Sequence, residues 1–167
     1  MGMRLRRVSD ADAAELLRVV TESLAHLRPW MSWATDDYDE SSVAGFLANS
    51  KEGWAAGRLF NHAITVDGAI VGVAGADRTG DSVEIGYWLH PAHVGRGHAT
   101  AAAAELVEFA FALDGVRRVQ IWHDEANVAS SGVPRRLGFT EVDRRTPPRE
   151  PAFGNESGVD VVWELTR

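Results

Sequence analysis

Residues 83–111, VEIGYWLHPAHVGRGHATAAAAELVEFAF, constrain the fold of this chain more than any other stretch. Up to Leu89 they have strand character. From Gly97 or His98 to Leu113 the apolar residues Ala99, Ala102, Leu106, Phe109, Ala110 and Leu113 recur at helical spacing. Val107 and Phe111 widen that stripe, so the helix is expected to be buried over most of its surface. Between strand and helix lies a glycine turn. Gly95 and Gly97 let backbone N–H groups approach a ligand closely. The first turn of the helix adds unpaired N–H donors and the positive end of the helix dipole, and Arg96 adds a charge. That combination suits a pyrophosphate.

Other readings of the turn compete. A tight turn with an ordinary helix cap would explain two glycines alone. Gly95-x-Gly97 is also half of a dinucleotide-binding fingerprint, but the glycines come several residues after the strand, and an antiparallel meander precedes them instead of a βαβ unit. A Walker loop is excluded, because no Gly-Lys-Ser/Thr is present.

Periodicity and turn chemistry place the rest of the chain. Leu5–Val8 reads as a short strand. Ser9 caps a helix from Asp10 to about Ala25, with its apolar stripe at Leu16, Val19, Val20 and Leu24. A loop rich in aromatics and acids follows (Trp30, Trp33, Tyr38; Asp36, Asp37, Asp39, Glu40), then a helix from Ser41 to Ala48 extending toward Gly53. Asn61–Val66 and Ala69–Ala76 form a hairpin across Asp67-Gly68, and Thr79-Gly80-Asp81 turns the chain into the strand Ser82–Leu89, which His90-Pro91 stops. After the long helix, Gly115 is the expected C-cap. Val116–His123 is a strand, Asn127 caps a short helix to Leu137, and Phe139–Arg144 and Val159–Leu165 are the last strands. The meander makes the sheet mixed, not fully parallel, so the fold class is α/β with a mixed sheet.

Composition narrows function. A length of 167 residues favours one domain over 1–167. With no cysteine, disulfides, thiolate zinc sites and a cysteine nucleophile are excluded. The net charge of −7 makes direct nucleic-acid binding a poor expectation and favours a cationic or amine partner. The most apolar run, Ala99 to Leu113, is too short and too charged to span a membrane, and no apolar stretch follows the basic N-terminal residues. The expectation is a cytoplasmic protein with no membrane partner. His90, His93 and His98 lie close in sequence, but no carboxylate or cysteine completes a metal set, so no metal is expected.

HVGRGHAT resembles the acyl-CoA pyrophosphate loop of the GNAT acetyltransferase superfamily, Arg/Gln-x-x-Gly-x-Gly/Ala. Gly97 and Ala99 match its last two fixed positions and Val94 departs at the first. EIGYWLHP before the loop, NVASSGVPRRLGF after it, RPWMSWA near the N-terminus and the closing VDVVWEL resemble the RimJ/RimL-type branch, which acetylates protein N-termini and related amines. The resemblance implies a central twisted mixed sheet of about seven strands flanked by helices. Its fourth and fifth strands (Ser82–Leu89 and Val116–His123) splay apart around acetyl-CoA. It also implies direct transfer from acetyl-CoA to a primary amine in a ternary complex, and a homodimer, since members of the family often are dimers.

Site residues follow from the same resemblance. The cradle falls on Val94, Gly95, Arg96, Gly97, His98, Ala99 and Thr100. The end of the fourth strand, Trp88, Leu89 and His90, also contacts acyl-CoA, with a backbone N–H near Leu89 as donor to the thioester oxygen. Glu84 is the candidate base through water, the alternative being a solvent-facing strand Glu. His123-Asp124 is a second candidate, with a structural His bonded to backbone as its alternative. The tyrosine that many members place four residues before the Gly-Phe pair is here Pro134. The branch instead has a serine three residues after the helix-opening asparagine, matched by Asn127 and Ser130. Ser130 would donate to the leaving thiolate, and Asn127 would touch pantetheine or hold the loop. Helix capping is the alternative for both, and Ser131 could replace Ser130. Trp30, Trp33 and Tyr38 fall where the family builds its acceptor wall, with His123 nearby. The acids beside them suit a cationic amine or simply form a solvated face. Two other functions share this frame: transfer from a larger acyl-CoA such as succinyl-CoA, and an acyl-CoA-binding module without turnover.

Overall fold

The computed structural model describes residues 2–167. Seven strands form one sheet in the order β1-β2-β3-β4-β5-β7-β6. They are β1 Met3–Arg7, β2 Leu59–Val66, β3 Ala69–Thr79, β4 Ser82–Leu89, β5 Arg118–Asp124, β6 Thr140–Arg145 and β7 Asp160–Thr166. Four helices pack around it: α1 Ala13–Leu27, α2 Glu40–Ala55, α3 His98–Ala112 and α4 Val128–Arg136. All neighbouring pairs are antiparallel except β4 and β5. The mixed α/β sheet is thus as expected, and every expected strand is present.

Local chemistry sets the elements. Asp67 and Gly68 both take positive φ, 52° and 83°, the backbone that a two-residue hairpin turn matching strand twist requires. One core cluster gathers α3, α4 and one face of the sheet around Leu106, Ile85, Val83, Val119 and Ile121. Ala102, Ala103 and Ala110 are fully buried, and their small side chains let α3 lie close on the strands. A second cluster joins α1 and α2 to the opposite face through Leu16, Val19, Val43, Leu47, Ala63 and Val73.

Element limits differ from the sequence reading by a few residues, most instructively in three helices. The first helix is split: Asp10–Asp12 is a 3₁₀ turn, and α1 begins at Ala13. Asp12 accepts from the Ser9 N–H at 2.9 Å and from Arg6 at 2.8 and 2.9 Å, which tightens that turn. The second helix starts at Glu40, because Asp39 caps it by accepting from the Ser42 N–H (3.0 Å), and it extends toward Gly53 as expected and on to Ala55. Gly115 does not cap α3. The helix stops at Ala112, Leu113 is already extended, and Gly115 sits in the following turn at φ 78°.

The pairing of β4 with β5 positions the site. It covers only Ser82↔Arg118, Val83↔Val119 and Glu84↔Gln120. Beyond Glu84 the two strands diverge, although β4 runs on to Leu89 and β5 to Asp124.

Candidate active site

A cavity of about 750 Å³ opens where the strands part. Its walls come from β4 (Glu84 to Trp88), the end of β5 (Ile121 to Asp124), the start of α4 (Asn127, Ser130), the α1–α2 loop (Trp30 to Trp33, Tyr38) and the β6–β7 loop (Pro148 to Pro151, Phe153, Glu156).

One side of the gap is backbone. The His90 N–H donates to Val71 O at 2.7 Å, and antiparallel alternation then turns the N–H and C=O groups of Tyr87 and Leu89 away from β3, toward the gap. At the end of that edge the chain makes a short 3₁₀ turn, Pro91–His93, and enters the glycine loop. Gly95 and Gly97 take φ of 73° and 81°, a region that L side chains rarely adopt. Gly97 is the N-cap of α3, no side chain caps this helix, and no acid lies in its first turn. The donors at the helix start therefore face outward, with Arg96 exposed beside them. Arg136 of α4 donates to Thr100 Oγ1 at 3.0 Å and brings a second guanidinium to the first turn of α3. An anion site of this kind fits the diphosphate of a coenzyme A ester.

At α4, Asn127 is the N-cap residue, yet its side chain makes no cap bond. The Ser131 hydroxyl donates to Val128 O at 2.7 Å. The side chains of Asn127 and Ser130 line the cavity and form no hydrogen bond among the described residues.

Glu84 and His123 also line the cavity, in very different states. Trp163 Nε1–H donates to His123 Nε2 at 2.9 Å, and indole is a donor only, so the ring is the Nδ1–H tautomer and donates to Asp124 O at 2.7 Å. Both ring nitrogens are committed. Burial pushes the Asp124 carboxyl up, but N–H bonds from Ser157, Ala126 and Gly158 outweigh it and hold it below the usual range. Asp124 thereby ties the β6–β7 loop to the end of β5. Glu84 is on the opposite face of the sheet from the α3 core, and its carboxylate receives both terminal nitrogens of Arg149, at 2.6 and 2.7 Å.

The cavity wall formed with the α1–α2 loop is aromatic. Trp33 lies 5.7 Å from Tyr38 and 5.9 Å from Trp88, ring centre to ring centre. Burial raises the Tyr38 phenol above its ordinary range. The Trp88 side chain thus joins this aromatic wall, while His90 turns to Ala92 N–H and Glu22. The acids of the α1–α2 loop are not in the cavity: Asp36 pairs with Arg28, and Asp39 caps α2. The carboxylates that line it are Glu84, Asp124, Glu150, Glu156 and Asp160. Burial pushes the Glu156 carboxyl up, and Asp124, Asp160 and Glu150 add to that. Sequence reasoning missed Trp122 on β5 and Arg149, Glu150, Phe153 and Glu156 of the β6–β7 loop. The loop segment, TPPREPAFGNESG, reads as a plain loop, and nothing in it signals contact with a strand some sixty residues earlier. Among the described residues, no three His, Cys, Asp or Glu side chains gather as metal ligands would.

Comparison with known proteins agrees with this architecture. The chain is 27% identical over 166 residues to a Bacillus subtilis (strain 168) protein provisionally named ribosomal N-acetyltransferase YdaF, covering 95% of this chain and 87% of that one. Its fold is similar to that of RimL, a ribosomal alpha-N-protein acetyltransferase solved with coenzyme A, at TM-score 0.89, 18% identity and coverage of 98% and 93%. It is also similar to Mycobacterium smegmatis RimJ, solved with a CoA-disulfide, at TM-score 0.86, 24% identity and coverage of 98% and 81%. Residues 3–140 match the model of the acetyltransferase (GNAT) domain. With the splayed strands and the glycine-capped helix that follows β4, this match shows that the chain belongs to the GNAT acetyltransferase family.

Proposed function

We propose that this protein is an N-acetyltransferase acting as one domain over residues 1–167, moving the acetyl group of acetyl-CoA to a primary amine, either a protein N-terminus or a small amine. The observation that carries the reading is the cavity at the β4–β5 gap. An aromatic wall with carboxylates lines it, and the β4 edge that borders it runs on into the glycine loop and the uncapped N-terminus of α3.

In this reading acetyl-CoA supplies an activated thioester. The loop from Val94 to Thr100 holds its diphosphate through backbone N–H groups, with Arg96 and Arg136 beside it. The Leu89 N–H, turned to the gap, donates to the thioester oxygen; one oriented donor of that kind contributes about 3 kcal/mol in a transition state. Trp30, Trp33, Tyr38 and Trp88 form the wall for the acceptor. An α-amine has a pKa of about 8, so a fraction is already neutral near pH 7, and Glu84 takes the remaining proton through water. His123 lacks a free ring nitrogen in this geometry, so its role is to hold the end of β5. Ser130, whose hydroxyl has no protein partner, donates its proton to the departing thiolate, and Asn127 holds pantetheine. The name of the RimL structure, an alpha-N-protein acetyltransferase, favours a peptide N-terminus as the acceptor.

Thiol release from acetyl-CoA tests this, with a panel of N-terminal peptides and small amines, for wild type and Ser130→Ala. Turnover on a peptide that falls sharply in the variant is the expected result. Tight acetyl-CoA binding without turnover on any amine would favour a binding module or a larger acyl donor. No binding at all would overturn the diphosphate cradle.

A further inference from the structure

The bond between Glu84 and Arg149 has no place in the chemistry just described, and it obstructs that chemistry. Both carboxylate oxygens meet the guanidinium in a two-point contact, at 2.6 and 2.7 Å. A base in that state has its favoured lone pairs occupied by a cation. Arg149 comes from the β6–β7 loop, which closes one side of the cavity and is anchored elsewhere by its own contacts. Asn155 N–H donates to Pro29 O (3.2 Å), the Ser157 and Gly158 N–H groups donate to Asp124, and Arg149 N–H donates to Asp160 (3.0 Å). The loop does not need the Glu84 pair to stay in place.

We infer that Arg149 is a specificity-determining residue: its guanidinium stands in for the acceptor's ammonium on Glu84 and gives way only to an acceptor that is itself a cation. This rests on the reading of Glu84 as the carboxylate that receives the amine. Three observations support the exchange. The pair is partly solvated, with side-chain exposures of 34% for Glu84 and 46% for Arg149, so opening it does not strand a charge in a dry interior. The guanidinium has other partners within reach. It lies 4.1 Å from the centre of the Trp122 ring, and the carboxylates of Asp160 and Glu150 act on it from the same loop and from β7. The charge balance at Glu84 also requires a cation. Asp77 is its partner across the β3–β4 pair and is pushed up by burial and by Glu84, so a neutral occupant would leave two carboxylates facing each other. An ammonium replaces Arg149 without that cost; an uncharged or acidic acceptor does not.

Calorimetry with the coenzyme A-saturated protein tests this. The probes are seryl- and alanyl-tripeptide amides and their N-acetylated counterparts, which lack the ammonium. Arg149→Gln should bind the free-amine peptides about threefold or more tightly than wild type, with no gain for the acetylated ones. Arg149→Lys, which keeps the cation, should return toward wild type. Adding Glu84→Gln to Arg149→Gln should abolish the gain. In turnover the change should appear as a lower KM. A structural role for Arg149 gives the opposite sign, since a loosened wall raises KM. Unchanged or weaker binding by Arg149→Gln, an equal gain for the acetylated peptides, or no peptide binding by any of the proteins would overturn the inference. Thiol release is read separately: binding that follows the expected pattern without release would uphold the exchange and remove acetyl transfer.

Discussion

At the start of α3, beyond the end of β4, the groups on offer are backbone N–H donors from consecutive residues of one turn, held by two glycines with positive φ. In the cavity they are side chains from the α1–α2 loop, β4, β5 and the β6–β7 loop, brought together across more than a hundred residues of chain. The first end is local and indifferent to most side chains. The second depends on long-range anchors such as Asp124, which accepts from Ala126, Ser157 and Gly158 at once. Under the proposed function, a donor site of the first kind can stay fixed while an acceptor site of the second kind changes with a few loop residues. Substitutions at the two ends should separate donor effects from acceptor effects.

The largest effect is expected at Ser130, on the α4 wall of the cavity. Ser130→Ala should lower kcat for thiol release by about 10²-fold, the scale of a lost proton donor, with little change in acetyl-CoA affinity by calorimetry. Next comes the local end. Gly97→Val forces a branched side chain to φ 81°, which costs about 1–2 kcal/mol, and should weaken acetyl-CoA binding by about tenfold while the acceptor KM holds. An equal rise in acceptor KM would break the division between the ends.

Asp124→Asn attacks the assembled end. The amide cannot accept from all the donors that the carboxylate holds, so stability should fall by about 1–3 kcal/mol in urea titrations, and acceptor KM should rise before acetyl-CoA affinity does. The wild-type pH dependence has a definite sign. The Asp124 carboxyl is held below the ordinary aspartate value of 3.8. Its contribution is therefore present in full above that value and is lost as pH falls through the lower folded value. Urea midpoints measured from about pH 6 down to about pH 3 should show that loss in wild type and much less of it in Asp124→Asn. The smallest effect belongs to Trp33→Ala. Trp33 is 41% exposed, so stability should change by about 1 kcal/mol or less, with a severalfold rise in KM for cationic acceptors.

Much of the local structure around the start of α3 was legible in the sequence, because its physics is local. A change from strand to helical periodicity across Gly95 and Gly97 implies a helix N-terminus beside a strand end, whatever the rest of the fold does. The Asp67-Gly68 hairpin and the alternating strands around it were legible for the same reason. Element ends governed by tertiary partners were not. Asp12 is drawn to Arg6, which splits the first helix, and the helix expected to end at Gly115 stops earlier, where Arg78 reaches Asp114 O at 2.6 Å.

At the acceptor end the sequence named Glu84, Trp30, Trp33 and Tyr38, but not what Glu84 would meet. The acids nearest those aromatics in sequence point elsewhere, and the carboxylates that line the cavity arrive from the β6–β7 loop and β7. By itself the sequence determined the mixed sheet, the glycine-opened helix and the residue types available for chemistry, since periodicity and backbone conformation are properties of neighbouring residues. Only the tertiary structure decided that Arg149 holds Glu84, that His123 has no free nitrogen and that Ser130 has no protein partner. A side chain's partner depends on which distant segments share its surroundings, and that is a property of the packed chain.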